Sequence, residues 1–301
     1  MRKTGKFLIV AIVLIIVGCV IFGAAMTELE WDFQRLSTAK TETEIIDING
    51  EFNNIEVNLS TTDIEFAFSG NDTSSILVTQ HKNEKHSAVV ENGTLKIGVK
   101  DTRKWYEHIG INFSTPKITV FLSKTEFACL SINTSTGNIN IADAFCFESL
   151  KIKGSTANVK CSATVENSVE IKTSTGNVYL SAPIMGGLNI TTSTGNVKID
   201  SVTATDSIAL KTDTGNVDLN NTVISGKLSV DTDTGNLKLN GCDAGELYIK
   251  TSTGNVRGTL LSEKVFIANS STGKIDVPKT LGGGMCEITT DTGDIQIKIE
   301  Q

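Results

Sequence analysis

Two aspartates twenty residues apart, Asp213 and Asp233, are the side chains best placed by type and spacing to do chemistry. Each stands two positions before a glycine in a recurring phrase. Ser155, Ser174, Ser193 and Ser252 hold that slot elsewhere, and Asp291 returns to it once more. If the phrase stacks on itself, the two carboxylates face each other on adjacent layers. Such a pair could hold a calcium ion or act as the carboxylate pair of a glycan-cleaving enzyme. The same pattern follows from duplication of a repeat, and solvated turn acids are the simpler reading.

Other reactive types are scattered. His81 and His86 flank Lys82-Asn-Glu-Lys85 in what reads as a polar loop, and His108 lies alone. A metal site needs three or four converging ligands, so the histidines read as solvated and no metal or cofactor is expected. Cys19 sits in an apolar leader. Cys129, Cys146, Cys161, Cys242 and Cys286 take different offsets from the nearest repeat glycine, so stacking brings no pair within disulfide reach. They read as small core residues. Trp105 and Tyr106, in an irregular stretch, read as an aromatic contact surface or a satellite core. No catalytic residue is expected, and the chain reads as a non-enzyme.

The phrase that frames Asp213 and Asp233 is Thr-Ser/Asp-Thr-Gly-Asn. Its glycine slot falls at 137, 157 (Ala), 176, 195, 215, 235, 254, 273 and 293, a step of 19 or 20 residues each time. Apolar residues alternate on both sides, as in Val169/Ile171 then Val178/Leu180. Period 2 gives each strand one buried and one wet face. A unit of two short strands cannot bury its own apolar face, so copies must stack. The spacing predicts an all-β fold: a parallel single-chain β-solenoid of about nine coils over 129–301, a rod roughly 40 Å long at ~4.8 Å per layer. Gly is expected at the corners for its positive φ, which Asn also tolerates.

Stacking makes columns of like residues. Asn138, Asn158, Asn177, Asn196, Asn216, Asn236 and Asn255 are expected to form a ladder in which each amide bonds the next. Thr136, Thr156, Thr175, Thr194, Thr214, Thr234, Thr253, Thr272 and Thr292 are expected to form a second ladder of hydroxyls. Lys274 and Asp294 interrupt the asparagines and read as terminal repeats whose charges discourage end-to-end pairing.

Residues 44–128 alternate without the phrase and read as a non-repeating β region, the amino-terminal part or cap of the solenoid. Asn49-Gly50 reads as a turn between strands, and Asn92-Gly93 as a hairpin turn. Residues 27–43 are polar and read as a stalk. Phe7 to Met26 is an uncharged run of 20 residues, enough to span about 30 Å as a helix. Arg2, Lys3 and Lys6 precede it, and Glu28, Glu30 and Asp32 follow. That asymmetry predicts a six-residue cytoplasmic tail, a single-pass signal anchor over 7–26, and an extracytoplasmic remainder. A cleaved signal at Gly23-Ala24-Ala25 or a loose lipobox ending at Cys19 are alternatives with the same sidedness. The chain carries −7 overall, and its remainder after Met26 holds 24 basic against 34 acidic residues. That balance disfavours nucleic acid as a partner.

The Thr-Ser-Thr-Gly-Asn-Val phrase at this spacing, behind an N-terminal membrane segment, resembles the bacterial "putative adhesin" β-strand-repeat family, a domain of unknown function. The resemblance covers nearly all of the chain after the leader, most specifically 130–299. It implies an envelope protein of the Gram-positive type, some members being encoded beside envelope-stress regulators, and it supplies no catalytic residues. The combined expectation is a membrane-anchored surface interaction protein that binds an envelope protein or glycan. An extracytoplasmic sensor arm and a polysaccharide-acting β-helix enzyme are the alternatives.

Overall fold

The computed structural model describes residues 3–32, 41–81, 84–101 and 115–300. Trp105, Tyr106 and His108 lie outside them. One helix, Lys3–Glu28, holds the apolar run, and its stretch Phe7–Glu28 is long and apolar enough to cross a membrane. The rest of the described structure is strand and turn.

The repeats form a parallel β-solenoid. Each coil lays a longer strand in one sheet, turns at the Thr-Gly-Asn corner, and lays a shorter strand in a second sheet. Thr164–Thr175 followed by Val178–Leu180 is representative. Coils are in register: Ile132, Ile152, Ile171, Ile190, Leu210 and Val230 form one inward column. Ile139, Val159, Val178, Val197, Val217 and Leu237 face them from the second sheet. All are buried, and each such side chain contributes about 1.5–3 kcal/mol by leaving water. The return of each coil adds Phe147, Val165, Ile184, Ala204, Ile224 or Ala244 to the same core. Toward the amino-terminal end of this core Phe127 stacks with Phe52 at 5.8 Å and with Phe147 at 5.9 Å. Cys161, Cys242 and Cys286 are buried in this core. Burial pushes the Cys161 thiol up to about 11 and Cys286 up to about 12, far from thiolate reactivity.

Spatial order departs from chain order at both ends. Asn54–Thr61 and Asp63–Phe68 pair directly with Glu126–Thr136 and Ile139–Ile141, adding a coil in the same frame as the repeats. Outside it lies a coil made of Thr94–Asp101 and Lys117–Leu122. Antiparallel strands then close the end. Glu84–Glu91 pairs with Thr94–Asp101 through the two-residue Asn92-Gly93 turn, both residues at positive φ (50° and 73°), as expected of this dipeptide. Asn49-Gly50 joins no hairpin: Thr41–Ile48 pairs with Ser74–His81, while Asn54–Thr61 enters the other sheet.

At the carboxyl end the last repeat, Gly284–Thr292 and Ile295–Ile299, is inserted between the coil ending at Leu260 and the coil of Lys264–Ser270 and Ile275–Asp276. Asp294 is therefore an interior rung rather than a terminal one. Lys274 alone ends the column.

Candidate interaction surface

The corner explains the phrase. Where one coil turns above the next, the main chain leaves two groups that the sheet ladders do not pair: the carbonyl at the glycine slot and the N–H of the following asparagine. Two side chains complete them. The first threonine of the phrase points inward and donates its hydroxyl to the glycine-slot carbonyl of the preceding layer: Thr192 to Gly176 at 3.4 Å, Thr212 to Gly195 at 3.2 Å, Thr290 to Gly254 at 3.1 Å. The asparagine Oδ1 accepts from the backbone N–H of the next asparagine, 2.9 Å from Asn196 N to Asn177 and 2.8 Å from Asn216 N to Asn196. Amide-to-amide bonds are secondary, at 2.9 Å for Asn158 to Asn138 and 3.4 Å for Asn236 to Asn216.

Because an acceptor is what matters, aspartate serves as well. Asp63 starts the column by accepting from Asn138 N at 2.7 Å. Asp294 N donates to Asn255 at 2.8 Å, and Asp294 Oδ1 accepts from Lys274 N at 3.0 Å. The Lys274 N–H, with Arg257 beside it, holds the Asp294 carboxyl below its usual range. Ser60-Thr61-Thr62-Asp63 is thus a corner that the sequence pattern hides.

Two expectations about the corner are corrected. The hydroxyl ladder is not Thr136 and its equivalents, which are all exposed. It belongs to Thr134, Thr173, Thr192, Thr212, Thr232, Thr251 and Thr290, two positions earlier and buried. Alternation fails at the corner, where two consecutive residues such as Ser174 and Thr175 both face water. Glycine is needed for close approach at the corners, and the expected positive φ is found at only some of them. A Cβ on Gly195, Gly215 or Gly254 would stand 1.9–2.0 Å from the carbonyl oxygen of the coil below, while Gly137, Gly176 and Gly293 are the repeat-slot glycines at positive φ. The exception at Ala157 is compensated: its Cβ takes the space of the missing threonine, since a Cβ on Gly154 would lie 2.6 Å from it.

Asp213 and Asp233 are exposed on adjacent layers, flanked by the paired Thr212/Thr232 and Thr214/Thr234. Among the described residues no group of three or more His, Cys, Asp or Glu is arranged to hold a metal ion. His81 and His86 are not solvated. Both end up buried, on Ser74–His81 and Glu84–Glu91, at 5 % and 7 % exposure. His86 Nδ1 donates to Gln80 Oε1 at 2.8 Å, which leaves Nε2 to accept from the Thr62 hydroxyl at 3.4 Å. Burial holds its pKa down at about 4. The alternation and the Lys-Asn-Glu-Lys insert masked this polar core.

The outward face of the short-strand sheet carries a column that sequence reading missed: Lys160, Tyr179, Lys198, Asp218, Lys238 and Arg257, one per coil in register. Lys198 Nζ stands 5.4 Å from the centre of the Tyr179 ring. Beside Lys238 and Arg257 lies a shallow trough of about 460 Å³, lined also by Asn216, Asn236, Asn255 and Asp218. In the sequence this column is marked only by its 19–20-residue spacing after the corner, since its residue type changes from coil to coil.

This stacked architecture has relatives. The model of the Toastrack DUF4097 family matches residues 52–239 and 184–301. The chain belongs to that family. The Toastrack chain is similar to a solved structure from Parabacteroides distasonis described as a putative adhesin, at 15% identity and TM-score 0.55, covering 86% of this chain and 98% of that one. A second protein from the same organism, described as a putative lipid binding protein, is 18% identical with TM-score 0.48 over 87% and 98% of the two chains. A putative adhesin from Bacteroides fragilis is 15% identical with TM-score 0.43 over 86% and 97%. A comparison with curated proteins finds no match. The likeness to the first Parabacteroides distasonis structure is one of fold alone, and the Gram-positive envelope expected from the sequence is not shown by it.

Proposed function

We propose that this Toastrack protein is a single-pass, membrane-anchored solenoid that presents an interaction surface outside the cell and performs no catalysis. The outward column of the short-strand sheet carries the reading. Lys160, Lys198 and Lys238 recur every second coil, roughly 9–10 Å apart on the layer spacing of a sheet. Tyr179 and the amide-lined trough lie between and beside them. A column of cations interrupted by one carboxylate, Asp218, with an aromatic ring and side-chain amides, suits an extended, hydroxyl-rich polymer bearing anionic groups, which is the chemistry of an envelope glycan. The exposed pair Asp213 and Asp233, one corner away, borders the proposed surface. The anchor supports the location: an apolar helix flanked by Arg2, Lys3 and Lys6 on one side and by acids on the other favours an extracytoplasmic rod.

Full-length chain in detergent, incubated with fractionated envelope, tests the reading. The expected result is capture of an anionic glycopolymer, weakened several-fold by Lys198→Glu with Lys238→Glu. Capture of a membrane protein instead would favour the sensor-arm alternative. No capture, or capture indifferent to both substitutions, would sink the column as the contact.

A further inference from the structure

The two ends of the rod are finished differently. At the amino-terminal end the outer coil is covered by antiparallel strands, Glu84–Glu91 on one sheet and Ser74–His81 with Thr41–Ile48 on the other. At the carboxyl-terminal end no strand among the described residues pairs with the outer edge of Lys264–Ser270 or Ile275–Asp276. That end is apolar. Val265, Ile267 and Ile275 are 40–45% exposed and Leu281 fully so. Phe266 and Ala268 pair with the buried Cys286 and Ile288 but are only partly buried themselves, because no further coil lies over them.

We propose that this open end is a self-association surface at which two copies of the chain meet tip to tip, edge strand against edge strand, about a two-fold axis across the rod. Three features select a second copy as the occupant. Head-to-tail stacking would need a free edge at the opposite end, and that end is closed. A lone extended peptide could pair with one sheet edge but would leave the other edge and Phe266 uncovered. A second copy brings both edges at the same separation, together with its own half-covered core. The rim balances Lys274 and Lys279 against Glu263 and Asp276, so identical ends meet without net repulsion. Lys264 is engaged elsewhere, 2.7 Å from Asp243 and buried. The first strand after the helix, Thr41–Ile48, belongs to the closed end. A seven-residue edge across two sheets offers roughly 400–500 Å² per copy, in the class of weak contacts that gain strength when many act together.

Sedimentation equilibrium of the full chain in detergent tests this. A concentration-dependent dimer is expected, loosened roughly tenfold or more by Val265→Lys with Ile267→Lys, which place like charges across a two-fold contact. Both side chains are substantially exposed, so at concentrations low enough that both proteins are monomeric the thermal midpoint of the variant should match the parent. A monomer at every concentration up to about 1 mM, or a dimer equally stable in the variant, overturns the proposal; the latter would point to the helix. No envelope fraction enters the measurement, so its outcome is separate from that of the glycan reading.

Discussion

At the scale of single residues, the corner separates two jobs that repetition alone does not distinguish. Asn196 supplies an acceptor for the N–H of Asn216, and Thr212 supplies a donor for the Gly195 carbonyl. Asn196→Asp should therefore be tolerated better than Asn196→Leu. The latter removes the acceptor and should cost about 1 kcal/mol, moderated by water at an exposed site; urea midpoints of the three proteins check the ranking. Gly154 and Ala157 make a sharper case. Gly154→Thr alone should destabilise, because its Cβ meets the Ala157 methyl. Adding Ala157→Gly clears that space and restores the phrase of the other coils, so the double variant should recover most of the loss. Additivity of the two single effects, measured as a double-mutant cycle, would contradict this account.

At the scale of elements, the closed end depends on a neutral imidazole. The His86 pKa, about 4 in the fold against an ordinary 6.5, means that the unfolded chain binds more protons between those values. Stability of this end is full above about pH 6.5 and falls as pH drops toward about 4, with no further loss from this group below that. His86→Gln, which cannot titrate, should flatten that slope when denaturation midpoints are compared across the window. The sequence exposed the coils well, since strict 19–20 spacing and period-2 alternation leave few other folds. It did not expose the closed end. Thr62-Asp63 performs the corner role with neither glycine nor asparagine, so no motif marks it. His86 looks like a loop residue until the strands on both sides of it are paired. The inward threonine lies two positions before the one that strict alternation selects, because alternation breaks at the corner. The column running from Lys160 to Arg257 varies in residue type, and a reading tuned to repetition passes over variation.

At the scale of the whole molecule, the described residues form a rod with one closed and one open end, and the apolar helix precedes the strands of the closed end in the chain. The open end has a consequence for how the rod comes to exist. Among the described strands, Lys264–Ser270 pairs with the stack only through the repeat of Gly284–Thr292, which slides in beneath it, and the Lys264–Asp243 ion pair adds a single side-chain contact. A chain ending at Gly283 should thus lose two coils instead of one. Hydrogen exchange on such a truncation should show the amides of 264–270 unprotected, whereas simple end-fraying would spare them. During synthesis or export the penultimate repeat emerges with nowhere to dock. Its strand pairing must wait until Gly284–Ile299 has followed, so docking of that repeat is the event that completes this end of the stack.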